Sequence, residues 1–154
     1  MSVSIQAEVF DPVALYRDLI SRQPSAALTC FTGFVRDYSD GHAVHALELE
    51  HYHEMALRQL ANIGQSATEK FHLHQWQVVH RFGVLSINEP IVWVGVTADR
   101  RADSFNGCQF IMDILKTDVP FWKKEHSKNS SHWVKISDLD IRRRESWVSE
   151  EGPV

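Results

Sequence analysis

A chain of 154 residues that is 44% hydrophobic and 23% charged has apolar material for one real core and too little length for two comfortable domains, so residues 1–154 are expected to form a single unit. The formal net charge of −4 speaks against a nucleic-acid binder working through bulk electrostatics. No apolar run approaches the roughly 18 residues of a membrane helix, and the opening "MSVSIQAEVFDP" lacks the basic-then-apolar pattern of a secretory signal, which points to the cytoplasm.

In chain order, "FDPVALYRDLISRQP" predicts a helix with Asp11 as N-cap, Pro12 at its first position and Pro24 beyond its end; Val13, Tyr16, Leu19 and Ile20 form its apolar side. "AALTCFTGFVRDY" predicts an apolar strand. "AVHALELEHY" predicts another, with Leu47 and Leu49 alternating against Glu48 and Glu50, and the Asp40-Gly41 turn signal between the two predicts a long-looped antiparallel hairpin. Ala56, Leu60, Ile63 and Ala67 repeat at helical spacing over 53–70. "LHQWQVVHRFGVL" predicts one strand, and "PIVWVGVTA" a central strand that is apolar on both faces. A third helix is expected from Asp103 to Lys116, "SSHWVKIS" as a late strand, and 137–154 as a polar tail that frays or docks on a partner. Helices interspersed among hairpins predict an α+β fold with a largely antiparallel sheet. Cys30 and Cys108 lie in apolar stretches far from any CxxC spacing and read as buried free thiols.

Positive charge is unevenly placed. Of the six lysines, five follow residue 115, and Arg100-Arg101 stand just before them. At about 100° per residue, Phe105, Cys108, Ile111, Met112 and Leu115 share one stripe of the third helix, and Lys116 falls about 20° from Phe105, at the stripe's edge. Such a lysine has two readings: a snorkelling side chain that complements the helix C-terminus, or an amine held at the rim of a site. Pro120 stops the helix, so a turn can bring Lys123 to Lys116, with Phe121 and Trp122 as anchors and Lys124 facing elsewhere; the alternative is that Phe121 and Trp122 are core and the lysines a solvated edge. Arg100 and Arg101 sit at a helix N-terminus, where anions are favoured, and their guanidinium forks suit phosphate or carboxylate. Arg36 is a third such candidate, with Gly33 allowing close backbone approach.

The histidine pairs of "HYH" (51 and 53) and "HLH" (72 and 74) have strand-face spacing, but no further ligand spacing completes a metal site. GxSxG, P-loop, GxGxxG and HExxH patterns are absent. A non-catalytic module for a phosphorylated ligand, or an RNA-contacting protein using Phe121 and Trp122 as stacking platforms, are the competing readings.

The ordered set "FTGFVR", "LELEHY", "VVHRFGVL", "VWVGVTADRRADSF", "CQFIMDILKTDVPFWKKE" and "SSHWV" resembles the large, catalytic subunit family of molybdopterin synthase, most strongly over 26–135. The resemblance implies an α/β-hammerhead fold and a homodimer of large subunits within a heterotetramer, with a small ubiquitin-like sulfur carrier at each end. It implies a sulfurtransferase in molybdenum cofactor biosynthesis that moves sulfur from the carrier's C-terminal Gly-Gly thiocarboxylate to cyclic pyranopterin monophosphate, without a resident cofactor or metal. The family's substrate-pocket positions fall on Phe34, Val35, Arg36, Arg100, Arg101, Lys116, Lys123, Lys124 and Glu125, with Lys116 and Lys123 as the catalytic residues. The family usually has histidine-arginine where this chain has Arg100-Arg101, which favours anion binding over neutral acid/base chemistry at Arg100. Arg142 to Arg144 stand where they could reach a neighbouring protomer's site.

Overall fold

The computed structural model describes residues 1–22, 25–39 and 41–149. In order, the elements are β1 (Ser2–Gln6), α1 (Pro12–Arg22), β2 (Ala27–Phe34), β3 (Tyr38–Ser39), β4 (His42–Ala43), β5 (Ala46–His51), α2 (His53–Phe71), β6 (Gln75–Arg81), β7 (Gly83–Ser86), β8 (Pro90–Ala98), α3 (Arg101–Asp118), β9 (Phe121–His126), β10 (Ser131–Val134) and α4 (Asp138–Ser149). They build two four-stranded sheets, β1-β6-β8-β2 and β10-β9-β5-β7, and a two-stranded β3-β4 ribbon. All pairings are antiparallel except β1 with β6.

The doubly apolar β8 is covered on both faces, as its composition requires. Val94 and Val96 face α2 and α3 in a cluster with Leu60, Ile63, Ile111 and Leu115. Trp93 faces the other way, toward Phe10 and Leu19 under α1. The N-terminus of α1 forms as its sequence predicts: Asp11 Oδ1 accepts the Val13 amide at 2.8 Å. Pro24 and Asp40 lie outside the described residues. A smaller core of Val35, Leu47, Leu49 and Leu85 fills the inner face of the second sheet.

Four expectations are corrected. The strands at 27–34 and 46–51 do not pair with one another: β2 joins β8 in the first sheet and β5 joins β7 and β9 in the second. Residues between them close their own small ribbon, with Gly41 at φ 87°. The run "LHQWQVVHRFGVL" is not one strand. Gly83, at φ 86°, turns the chain from the first sheet into the second, a conformation that an L side chain resists. Beyond Pro120 the chain forms a strand, β9, rather than a turn alone. The polar tail is a helix up to Ser149, docked on α3 of its own chain: Trp147 Nε1 donates to Asp113 Oδ2 at 2.9 Å, and Arg144 pairs with Asp118 at 2.6 Å. Ser137 caps its start: the Ser137 hydroxyl oxygen accepts the Asp140 amide at 3.1 Å and donates its own hydrogen to the Asp140 carboxylate at 2.8 Å.

Among the described residues no helix is long and apolar enough to cross a membrane. Cys108 is buried, which pushes its thiol up to about 12, whereas Cys30 is exposed rather than buried.

Gly64 lies in the middle of α2 beneath the Trp76 indole; a Cβ there would stand 2.4 Å from the ring. Gly64→Ala is therefore expected to lower the unfolding free energy by about 1–3 kcal/mol through overpacking, despite the better helix propensity of alanine. Urea denaturation monitored by circular dichroism would measure it.

Candidate functional site

A register shift between Gly33 and Phe34 marks the end of β2. Such a bulge re-aims the residues beyond it. Val35 drops into the second core at 3% exposure, with its amide bonded to the Glu89 carbonyl and its own carbonyl accepting from Asn88, both at 2.9 Å. With the side chain and backbone of Val35 committed, the flanking Phe34 and Arg36 are left exposed.

The helix α3 runs from the Ala98 end of β8 toward this same corner and stops at Val119, where the backbone turns extended ahead of Pro120. Its last turn carries Lys116, whose Nζ donates to Asp140 Oδ1 of α4 at 3.2 Å. Met112 and Lys116 lie along one flank of the helix with Phe105, which is exposed rather than part of the buried stripe. The buried face is instead centred on Gly107, Cys108, Ile111, Ile114 and Leu115. That flank, together with Phe31 of β2 and Leu139, Asp140 and Arg143 of α4, lines a groove of about 510 Å³ that includes the Lys116–Asp140 pair.

Strand β9 supplies the second lysine by alternation. Phe121, Lys123 and Glu125 lie opposite His51, Leu49 and Leu47 of β5, so they share the inner face. The Lys123 stem thus crosses the apolar core of the second sheet before its amine reaches the corner. Desolvation holds this amine below the ordinary lysine value; the Lys116 ammonium adds to the effect, Asp140 opposes it, Arg36 adds further, and Glu125 opposes. Glu125 is itself held by His132 Nε2 at 3.3 Å. Burial works to raise the Asp140 carboxyl, but the Ser137 hydroxyl and Lys116 outweigh it and leave it below its usual range.

The structure therefore brings Arg36, Lys116, Lys123 and Glu125 into one corner. Lys124 is on the outer face, 5.3 Å from the Trp133 ring centroid. Trp122 shares that outer face and is exposed, so only Phe121 acts as an anchor. Arg100 is the N-cap of α3 and Arg101 its first residue, both exposed. At about 1.5 Å per residue they lie about 22 to 24 Å along the helix from Lys116.

Two groups near this corner escaped sequence reasoning. Asp140 was hidden in the apparent tail. His80, in the apolar run of β6, is fully buried, and burial chiefly drives its pKa down to about 3; the bond to the Arg81 carbonyl works the other way, and Lys123 and His51 push it lower. Strand alternation could have flagged it, because a histidine amid valines on a covered strand needs a hydrogen-bond partner inside. Of the histidine pairs, His51 and His53 bond to each other at 3.1 Å, and among the described residues no three potential metal ligands gather.

Two sheets joined at one corner, with Lys116, Lys123 and Arg36 gathered beside a groove that Lys116 lines, define an α+β protein with a cationic cleft. The chain belongs to the MoaE family: the family model described as MoaE protein matches residues 5–118. It is 39% identical to the molybdopterin synthase catalytic subunit of Vibrio cholerae, over 94% of this chain and 97% of that protein. It is 35% identical to the one from Haemophilus influenzae, over 96% and 98%. Among solved structures it is similar to molybdopterin cofactor biosynthesis protein E from Burkholderia multivorans, with TM-score 0.80 and 38% identity over 96% of both chains. It is also similar to molybdopterin synthase from Staphylococcus aureus, with TM-score 0.79 and 32% identity over 86% of this chain and 96% of that one. The α+β expectation is met, and the fold is that of this family.

Two outcomes follow from the charges. Asp140→Asn keeps the helix cap but removes a carboxylate that favours the Lys123 ammonium, so the Lys123 pKa should fall further, as followed by NMR titration of the lysine side chains. His80 binds its proton at about 3 when folded and at 6.5 when unfolded. Between those values the unfolded chain holds more protons, so stability should decline as pH drops from 6.5 toward about 3. Urea midpoints at neutral and acid pH would show the decline, and His80→Phe should flatten it.

Proposed function

We propose that the chain is the catalytic subunit of a molybdopterin synthase, acting in the cytoplasm as a sulfurtransferase of molybdenum cofactor biosynthesis. The observation that carries this reading is the corner itself: one lysine paired to an acid, a second driven toward its neutral form, and an arginine near them, beside an apolar groove. The groove accommodates an extended, small-residue tail such as the C-terminal Gly-Gly of a ubiquitin-like carrier. Its terminal thiocarboxylate then meets Lys116, displacing Asp140 from the ammonium. Arg36 faces the anionic cyclic pyranopterin monophosphate, with Phe34 and Glu125 at the margin and the Val35 backbone fixing the approach. Lys124 adds positive charge from the far face of the same strand.

The chemistry divides between the two amines. Attack of the thiocarboxylate sulfur on a side-chain carbon of the substrate forms a carbon–sulfur bond and leaves negative charge on the displaced oxygen, which the Lys116 ammonium stabilises. Water then cleaves the acyl–sulfur bond, and the carrier departs as a carboxylate. Lys123, partly neutral at lower pH than an ordinary lysine, accepts the proton that this water gives up. Two such transfers yield the dithiolene.

Arg100 and Arg101 are too far along α3 to serve the Lys116 of their own chain. We assign them to the site of a second copy in a homodimer, where they bind the substrate's phosphate or pterin oxygens, in keeping with guanidinium geometry.

The test is direct. With thiocarboxylated carrier and pyranopterin substrate, the wild-type chain should form dithiolene product, and Lys116→Ala should keep its circular dichroism spectrum while losing about 10²–10⁴-fold in rate. Arg101→Ala should also be impaired. Mixing the two variants should restore roughly a quarter of wild-type activity, because half the dimers are mixed and each holds one intact site. Full activity of Lys116→Ala removes that residue from the mechanism, and no recovery on mixing refutes the shared site.

A further inference from the structure

His80 is a buried polar group that the reaction scheme above leaves without a task. It lies on β6 of the first sheet at 2% exposure. Its Nδ1 is 2.8 Å from the Arg81 carbonyl oxygen. A carbonyl only accepts, so Nδ1 carries the hydrogen, and burial keeps the ring neutral with its lone pair at Nε2. The imidazole lies flat on Phe121, with ring centroids 3.8 Å apart and planes 11° from parallel. The His51 ring of β5 stacks on the same Phe121, with centroids 5.8 Å apart and planes at 24°, and packs against Phe82 at 4.5 Å. The first residue of β9 is thus gripped by a ring from each sheet. Phe121 and Lys123 project from the same face of β9, two residues apart, or about 7 Å along the strand. Whatever fixes Phe121 fixes the root of Lys123.

We propose that His80 is a positioning residue for Lys123: stacked on Phe121, its ring sets the start of β9 and walls the Lys123 stem from water, which selects this amine over Lys116 as the one that exchanges protons. The proposal rests on the proton role assigned to Lys123 above, although the placement itself does not. The groups facing the Lys123 amine are Lys116 of α3, Asp140 of α4, Arg36 beyond β2 and Glu125 on its own strand. His51 and His80 stand on the β5 and β6 side. His80 is neutral throughout the working range, so its effect comes from excluded water and fixed geometry rather than charge. An aromatic ring of similar size should therefore replace it, and a small side chain should not.

The experiment is NMR titration of the lysine side chains in the full chain, with the Lys123 signal assigned by its loss in Lys123→Arg. In His80→Ala and Phe121→Leu, water reaching the stem should raise the Lys123 pKa by about one unit, leaving about tenfold less neutral amine at a given pH. His80→Phe should titrate like wild type. The pH–rate profile for sulfur transfer should move to the alkaline side by the same amount in the first two variants and not in the third. A purely structural role would lower the rate at every pH without moving the profile. Wild-type titration of Lys123 in folded Phe121→Leu, or a shift in His80→Phe as large as in His80→Ala, overturns the proposal. Should His80→Ala fail to fold, the Phe121→Leu and His80→Phe pair decides. A shifted Lys123 in a chain with no sulfur transfer, even as wild type, would uphold the positioning and refute the reaction.

Discussion

The buried guanidinium of Arg81 is the constraint from which the site hangs. Its Nε and Nη2 donate to the Ala7 carbonyl at 3.0 and 2.9 Å, and its Nη1 to Glu89 and to the Pro90 carbonyl at 2.9 and 3.2 Å. Removing a cation from water costs several kcal/mol unless its donors are satisfied in good geometry. Here three segments satisfy them: the exit of β1, the β7–β8 turn and the entry of β8. Immediately after Arg81, Gly83 redirects the chain into the second sheet. Immediately before it, His80 meets Phe121. A single buried ion thus locks the place where two sheets diverge, and Lys123, Arg36 and the end of α3 are all positioned relative to that place.

The electrostatics follow from this geometry. A chain of net negative charge gathers Arg36, Lys116 and Lys123 in one corner and offsets them incompletely with Asp140 and Glu125. Like charges held together on a partly desolvated surface raise the free energy of the unliganded protein. The compensating carboxylate of Asp140 is exchangeable, since an incoming anion can take over its bond to Lys116. Burial does most to depress Lys123; the cationic field of Lys116 and Arg36 adds to it and also favours an anionic ligand.

Much of this was legible in the residues, and the failures have physical reasons. Helix α1 announced itself through its cap, α2 and α3 through 3.6-residue periodicity, and β8 through its two apolar faces. Local pattern cannot say which sheet a strand joins, which is why β2 and β5 were wrongly paired and why β6 and β7 read as one strand: the break rests on the φ of Gly83, a property of the folded backbone. The lysines were visible as a charge anomaly and Lys116 as a rim residue, because helix geometry is local. That Arg100 and Arg101 lie at the opposite end of α3 follows from helix length alone. The burial of His80 against Phe121 depends on two sheets meeting, and no window of sequence contains both.

Adjacent lysines on β9 have opposite fates solely because side chains alternate along a strand. Lys123 faces the corner and Lys124 the outer surface, where it rests over Trp133. Composition is therefore a poor guide to what this segment tolerates: exchanging one outer residue for another leaves the inner face intact, whereas a single inserted or deleted residue between Pro120 and Lys123 would carry Lys124 or Trp122 into the corner and move every later side chain to the wrong face. The outer positions of the segment should drift in sequence while its length stays fixed.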